Sequence, residues 1–403
     1  MILLDGAKLA IYGIYLNYYC YYVIKGSFIP HGTMLFFAVA LGCILLNILT
    51  EDRGSILVEK EIVYWGLYGA IAYMTTLVFC NTGFSSLTSD IFKYFQRLLL
   101  IFFVAYICEK EKSIRFGLRV LIITAVGCAI GVFRVLGDIQ LKLDITSGAD
   151  LSANDIGALM AFGVIALLIY GNDRNKANSP FLSVFKVAAV IACVSVIFIA
   201  GSRKSIYAIS IFLVLTILWG GRDFFRNLTP GRFILLLVIC LAGAYFVYRN
   251  LWPYVEDTNL YVRMFGRGVE GTAESDEVRM DLYKWALQEF LKHPLIGVGY
   301  NNFVNLYGNY THSTYAEPMA CSGVIGLLYL IPYARMLITQ AHLIRVYPRR
   351  STEHTWQKSM MAFYIAFAFV GVGIPYLYKD IPCILLGMFL ASQQLAAQNI
   401  QSN

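Results

Sequence analysis

The sequence predicts an all-α polytopic membrane protein of about a dozen transmembrane helices, and three observations predict it. Of 403 residues, 58% are hydrophobic and only 14% are charged. The mean hydropathy is +0.63, whereas a soluble domain carries about a quarter charged residues because water must solvate its surface. The polar stretches are short and recur at the spacing of helix connections, with no Pro/Gly-rich linker of the kind that separates soluble domains. Residues 1–403 therefore read as a single transmembrane domain.

Each span needs about 20 mostly apolar residues. The apolar runs place spans at Ala7 to Ile24, Gly32 to Leu49, Ile62 to Cys80, Ile91 to Cys108, Phe116 to Leu136 and Asp155 to Tyr170. Others follow at Ser183 to Ala200, Lys204 to Trp219, Phe233 to Tyr248, Cys321 to Ile344, Met360 to Leu377 and Ile381 to Ala397. Lys and Arg concentrate in alternate connections: Arg53 and Lys60, then Lys110 to Arg119, Arg174 and Lys176, Arg222 to Arg232, and Arg345 to Lys358. By the positive-inside rule both termini are cytoplasmic, and the connection 249–320 is external.

That loop holds enough polar chain to build a site. An acidic, Gly-containing stretch from Glu256 to Glu277 is expected to run over the surface. After it, Val278, Leu282, Trp285, Ala286 and Phe290 recur at three-to-four-residue spacing, which is an amphipathic helix on or near the membrane. Pro294, Gly297 and Gly299 end it. The net charge of +7 suggests no nucleic-acid partner, since its cations are spread between apolar runs. The nine cysteines lie in or beside those runs and read as small buried hydrophobes. No pair has CxxC spacing, so neither a metal nor a redox site is expected. Gly266-Arg-Gly-Val-Glu-Gly271 fits GxGxxG but follows no strand, which excludes dinucleotide binding.

The most informative stretch is His312-Ser-Thr-Tyr-Ala-Glu-Pro-Met-Ala-Cys-Ser-Gly323-Val-Ile-Gly326. A histidine just outside a helix entry has an ordinary pKa near 6.5, which suits proton transfer at neutral pH. A loop histidine also serves as a solvated or capping residue. His-Ser, nine residues, then Gly-x-x-Gly resembles the signature of the O-antigen ligase and Wzy-type polymerase superfamily. Trp285 to Phe303, Gly201-Ser202-Arg203 and Ser152-Ala-Asn154-Asp-Ile-Gly157 are similar to other parts of the same family. The resemblance covers residues 153–330.

What it implies is a metal-independent glycosyltransferase of GT-C type that needs no cofactor. It lies in the bacterial inner membrane with its site on the periplasmic or extracellular side. The donor partner is an undecaprenyl-diphosphate-linked oligosaccharide, and a chain-length regulator is a further expected partner. Under the resemblance, His312 matches the family's base, while Arg203 and Arg279 match arginines that hold the diphosphate. Chemistry supports those roles, because a departing diphosphate carries about two negative charges that guanidinium forks bind bidentately. Arg203 also reads as a snorkelling interfacial residue, and Arg279 as part of a solvated helix face. No Asp-x-Asp pair is present for a metal-bound nucleotide sugar, which favours a lipid-diphosphate donor.

Arg97 and Arg134 lie within or near apolar runs, where an ionisable group usually faces a polar cavity or a salt bridge; Asp90 is the partner expected for Arg97. Glu317 is placed to orient the imidazole or to be solvated, and His293 ends its helix. Tyr300, Asn301 and Asn302 suit sugar hydroxyls, although turn chemistry explains the asparagines equally well. The sequence thus favours a polymerase of lipid-linked surface polysaccharide. A ligase moving finished polymer to lipid A-core or another terminal acceptor shares the donor, and a flippase of the same glycan is the rival from another class.

Overall fold

The structure, a computed structural model, describes residues 2–24, 32–51, 59–79, 84–135, 153–171, 180–226, 270–349 and 351–402. The helix expected from Phe233 to Tyr248 and the first part of the expected external stretch lie outside them. The described residues are α-helical with two short 3-10 turns and no strand.

In chain order the helices are α1 (Ile2–Ile24), α2 (Gly32–Thr50), α3 (Lys60–Phe79), α4 (Phe84–Lys110), α5 (Arg115–Val135), α6 (Ala153–Gly171), α7 (Pro180–Ala200) and α8 (Arg203–Arg226). They continue with α9 (Glu270–Lys292), α10 (Phe303–Tyr307), α11 (Ala316–Ser322), α12 (Leu327–Val346), α13 (Thr352–Gly371) and α14 (Ile381–Ser402). Among the described residues, six stretches are long and apolar enough to cross a membrane: α2, α3, Leu87–Lys110, Arg115–Arg134, Ala316–Val346 and Ile381–Ile400. The protein is a multi-pass helical membrane protein. Leu46, Leu67 and Ile338 point outward from the bundle, an arrangement without penalty where the solvent is acyl chain.

Three expected helices differ from those observed. The span expected from Cys321 is broken: α11 ends at Ser322, a 3-10 turn occupies Gly323–Gly326, and α12 begins at Leu327. The span expected to reach Leu377 stops at Gly371, because Gly371-Val-Gly373-Ile-Pro375 cannot continue a helix. The amphipathic helix begins at Glu270 rather than Glu277. Its inward stripe is narrower than the periodicity suggested: Leu282 and Ala286 are buried, while Val278 and Trp285 are exposed.

Three buried aromatic side chains tie the bundle together and satisfy their own polar atoms. Trp65 Nε1 donates to the Tyr329 carbonyl at 3.0 Å, Tyr94 to the Trp65 carbonyl at 2.7 Å, and Tyr364 to the Tyr333 carbonyl at 2.7 Å. Such pairing matters because an orphaned polar group costs several kcal/mol where no water reaches it.

The segment after α9 locks onto the bundle through glycines. The turn after α9 crosses the α11 junction, with Val298 N–H donating to the Ala320 carbonyl at 3.0 Å and Val324 N–H to the Pro294 carbonyl at 2.8 Å. Gly297 and Gly323 both have positive φ there, and a Cβ on Gly323 would lie 2.4 Å from the Pro294 oxygen. Gly308 also has positive φ but faces open space. Gly323→Ala therefore lowers the melting temperature in detergent by strain of ~1–3 kcal/mol plus the clash. Gly308→Ala carries only the conformational part, and equal shifts for the two variants would refute the interlock.

Candidate active site

His312 sits on a segment whose neighbours are all fixed. Thr311, Ser313, Thr314 and Glu317 are buried, and the histidine between them is half-exposed. Thr314 does most of the fixing: its N–H donates to the Gly371 carbonyl at 2.8 Å and its hydroxyl to the Ile374 carbonyl at 2.5 Å. The same hydroxyl accepts from Tyr376 N–H at 3.0 Å. Glu317 does not reach the imidazole by any contact among the described residues, so orienting the ring directly is not its role. It accepts from Thr311 N–H at 2.7 Å and from the Tyr378 hydroxyl at 3.0 Å, and so holds the backbone one residue ahead of His312. His312 itself has a φ of 55°, a left-handed conformation uncommon for any residue but glycine. Tyr310 packs edge-on against the imidazole, with ring centres 5.0 Å apart.

Four further elements bring charge to this loop. The helix starts at α6 and α8, singled out separately in the sequence, pack directly together: a Cβ on Gly157 would lie 2.3 Å from the Ser202 Cβ. This places Asp155 beside the first turn of α8, where Lys204 Nζ donates to the Gly373 carbonyl at 2.7 Å. Tyr283 on α9 donates to the Val372 carbonyl at 2.8 Å, one turn from Arg279. Lys379, at the end of the 371–380 connection, pairs with Asp155 at 2.7 Å. Burial, then the fields of Arg279, Lys204 and Lys379, pull the His312 pKa from its ordinary 6.5 down to about 4, against the opposing pull of Asp155. At neutral pH the imidazole is therefore uncharged and able to accept a proton.

Of the residues singled out in the sequence, Arg279 is thus beside His312. Arg203 occupies the first turn of α8, half-buried and next to Lys204 in the chain. Lys204 and Lys379 are not singled out by the sequence, because an isolated lysine in a short connection carries no local signal of a site. Tyr300 is buried with its ring against Tyr94 and Tyr378, so it does not face solvent to meet a sugar. Asn301 donates to Asp90 on α4 at 2.6 Å and Asn302 to the Val298 carbonyl at 2.9 Å; the first side chain ties the turn to the bundle and the second serves the turn itself. Arg97 pairs with Asp380 at 2.7 Å rather than with Asp90, which Asn301 engages. Arg134 is exposed at the end of α5, and no contact among the described residues brings it to His312.

Residues 187–331 match the family model described as O-antigen ligase. The match supports the resemblance of this segment to the O-antigen ligase/Wzy-type superfamily, whose members are glycosyltransferase-like ligases and polymerases. No curated protein matches the chain. The matched segment contains Arg203, Lys204, Arg279, His312 and Glu317, whereas Asp155, Lys379 and Asp380 lie outside it.

The Glu317 arrangement is testable by stability alone. Glu317→Ala leaves the buried Thr311 N–H and Tyr378 hydroxyl without their acceptor, at a cost of about 1–3 kcal/mol for each. Glu317→Gln keeps an acceptor oxygen and recovers most of the loss. Thermal melts followed by tryptophan fluorescence in detergent check this, and equal destabilisation by both variants would count against the assignment.

Proposed function

We propose that the protein polymerises lipid-linked surface polysaccharide, moving a glycan from undecaprenyl diphosphate to an acceptor sugar hydroxyl with inversion and without metal. The observation that carries this reading is a neutral imidazole held rigidly beside guanidinium and ammonium groups at one end of a membrane bundle. In the reaction the acceptor oxygen bonds to the anomeric carbon as the bond from that carbon to the diphosphate oxygen breaks. The electron pair leaves with the lipid diphosphate, the hydroxyl proton passes to His312, and Arg279 and Arg203, with Lys204, meet the developing negative charge.

A second reading, transfer of finished polymer to a terminal acceptor, is favoured by the description of the matched family. The two share the donor and the residues. Chains that lengthen on undecaprenyl diphosphate in membranes carrying the protein support polymerase; polymer appearing only on a terminal acceptor supports ligase. The proposed site lies on the outer side of the bacterial inner membrane, the side that the Lys and Arg asymmetry assigns to the 249–320 connection.

Replacing His312 with Ala removes the base and is expected to lower turnover by roughly 10²–10⁴-fold; unchanged polymer length and yield would defeat the proposal. The pH profile gives a sharper check. In the donor-free protein burial and then the cationic surroundings hold His312 near 4, so the acid limb of kcat/KM falls there. Bound diphosphate offsets those cations and stabilises the imidazolium, so the acid limb of kcat lies at higher pH. Arg279→Gln removes one cation and moves the kcat/KM limb upward; a limb that stays in place would separate Arg279 from the base.

A further inference from the structure

α9 lies across the end of the bundle that carries His312. Near the middle of the helix, Tyr283 donates to the Val372 carbonyl, just past the end of α13. Beyond its C-terminus, the Pro294 carbonyl accepts from Val324 N–H, just before α12 begins. α12 and α13 run antiparallel, since Gln340 pairs with Gln357 and Tyr364 reaches Tyr333, so Val324 and Val372 mark the same end of two neighbouring helices. About 14 Å of helix separates the two anchors. A helix fastened at both places runs over the end of the bundle and does not project away from it.

At about 3.6 residues per turn, the faces of α9 follow one another in a definite order. Leu282 and Ala286 are buried, and Arg279 and Tyr283 share the adjoining flank, turned to His312 and Val372. Next around the helix come Met280, Leu287 and Leu291, within about 40° of one another. Lys284, Gln288 and Lys292, all exposed, form the arc beyond them. An apolar row therefore sits between the flank that meets the bundle and the polar arc. Met280, Leu287, Leu291 and, in the following turn, Leu295 are 56%, 59%, 67% and 72% exposed, so nothing in the fold covers them. This is not the stripe expected from the sequence, whose Trp285 stacks on Tyr307 with ring centres 4.9 Å apart.

Leu295 carries the row onto the bundle. Its backbone touches the α11–α12 junction, where a Cβ on Gly323 would lie 2.7 Å from the Leu295 carbonyl carbon. From there Val324, Leu327, Ile331 and Ile338 continue as exposed apolar residues along Ala316–Val346, a stretch able to cross a membrane. A contiguous exposed apolar surface marks a contact, and this one runs without a break into a surface whose solvent is acyl chain. We propose that α9 is seated in the bilayer surface at this end of the bundle, with Met280, Leu287, Leu291 and Leu295 among the acyl chains and Lys284, Gln288 and Lys292 toward the head groups. One consequence rests on the glycosyl-transfer reading: Arg279 lies on the flank between the row and the bundle, so a lipid-linked diphosphate reaches it sideways through the head-group layer.

Photolabelling of the unaltered full chain tests the seating. The protein is placed in nanodiscs of phosphatidylethanolamine and phosphatidylglycerol, the latter carrying a diazirine in its acyl chain, and adducts are mapped by peptide mass spectrometry. Adducts are expected on Met280, Leu287, Leu291 and Leu295, and on Leu327 and Ile331 as the reference within the membrane, while Lys284, Gln288 and Lys292 stay unlabelled. A labelled reference with no adduct on α9 would overturn the proposal, as would equal labelling of the row and the polar arc. A water-borne diazirine is expected to give the complementary pattern, with loss of label from the row; strong labelling of Leu287 and Leu291 from water would overturn the seating. Protection of the row from both reagents would mean that a protein surface covers it, which overturns the seating equally. The labels are read without substrate, so a failed seating leaves the transferase reading standing, and a correctly labelled protein that transfers no glycan does the reverse.

Discussion

The arrangement depends on one side chain, Thr314, whose hydroxyl both donates to the Ile374 carbonyl and accepts from Tyr376 N–H. It fastens the loop carrying His312 to the connection between α13 and α14. Neither segment is α-helical, and each supplies hydrogen-bond partners to the other. The fit is close because Gly371 and Gly373 have no side chains: a Cβ on Gly371 would lie 3.2 Å from the Thr314 hydroxyl, and one on Gly373 would collide with the Lys204 side chain. Two glycines thus allow the α8 start and the His312 loop to meet the same short connection.

From that junction the electrostatics follow. Once Lys204 is drawn to the Gly373 carbonyl and Tyr283 to the Val372 carbonyl, their neighbours in the chain come too, and Arg279 acts on the imidazole. A histidine in such a field gives up its charge, the usual response of a titratable group that is both desolvated and crowded by like charge. Its strength as a base then depends on what anion is present. Any anion held beside it would raise its affinity for a proton without a moving part.

The bilayer-length apolar segments were legible because hydropathy is a local property and lipid demands a long uninterrupted run. The same averaging hid the two places where the backbone departs from a helix. Cys321 to Ile344 is apolar throughout, so the break at Gly323–Gly326 left no trace in hydropathy, and the apolar run through Gly371 to Leu377 concealed the end of α13. His312, Arg203 and Arg279 were readable as candidates from residue type and family resemblance. Glu317 was singled out with the wrong partner, and Tyr300 was taken for a surface group when its ring is packed in the core.

The sequence by itself determined the solvent this protein lives in, its all-helical multi-pass class and the chemical types available at one end of the bundle. Only the tertiary structure decided which charges meet. Arg97 finds Asp380 across 283 positions of chain and Lys379 finds Asp155 across 224, and no local pattern encodes pairings of that range. The physical reason is that helix formation in lipid is dictated by each segment's own backbone and side chains, whereas ion pairing is settled by how the finished helices pack.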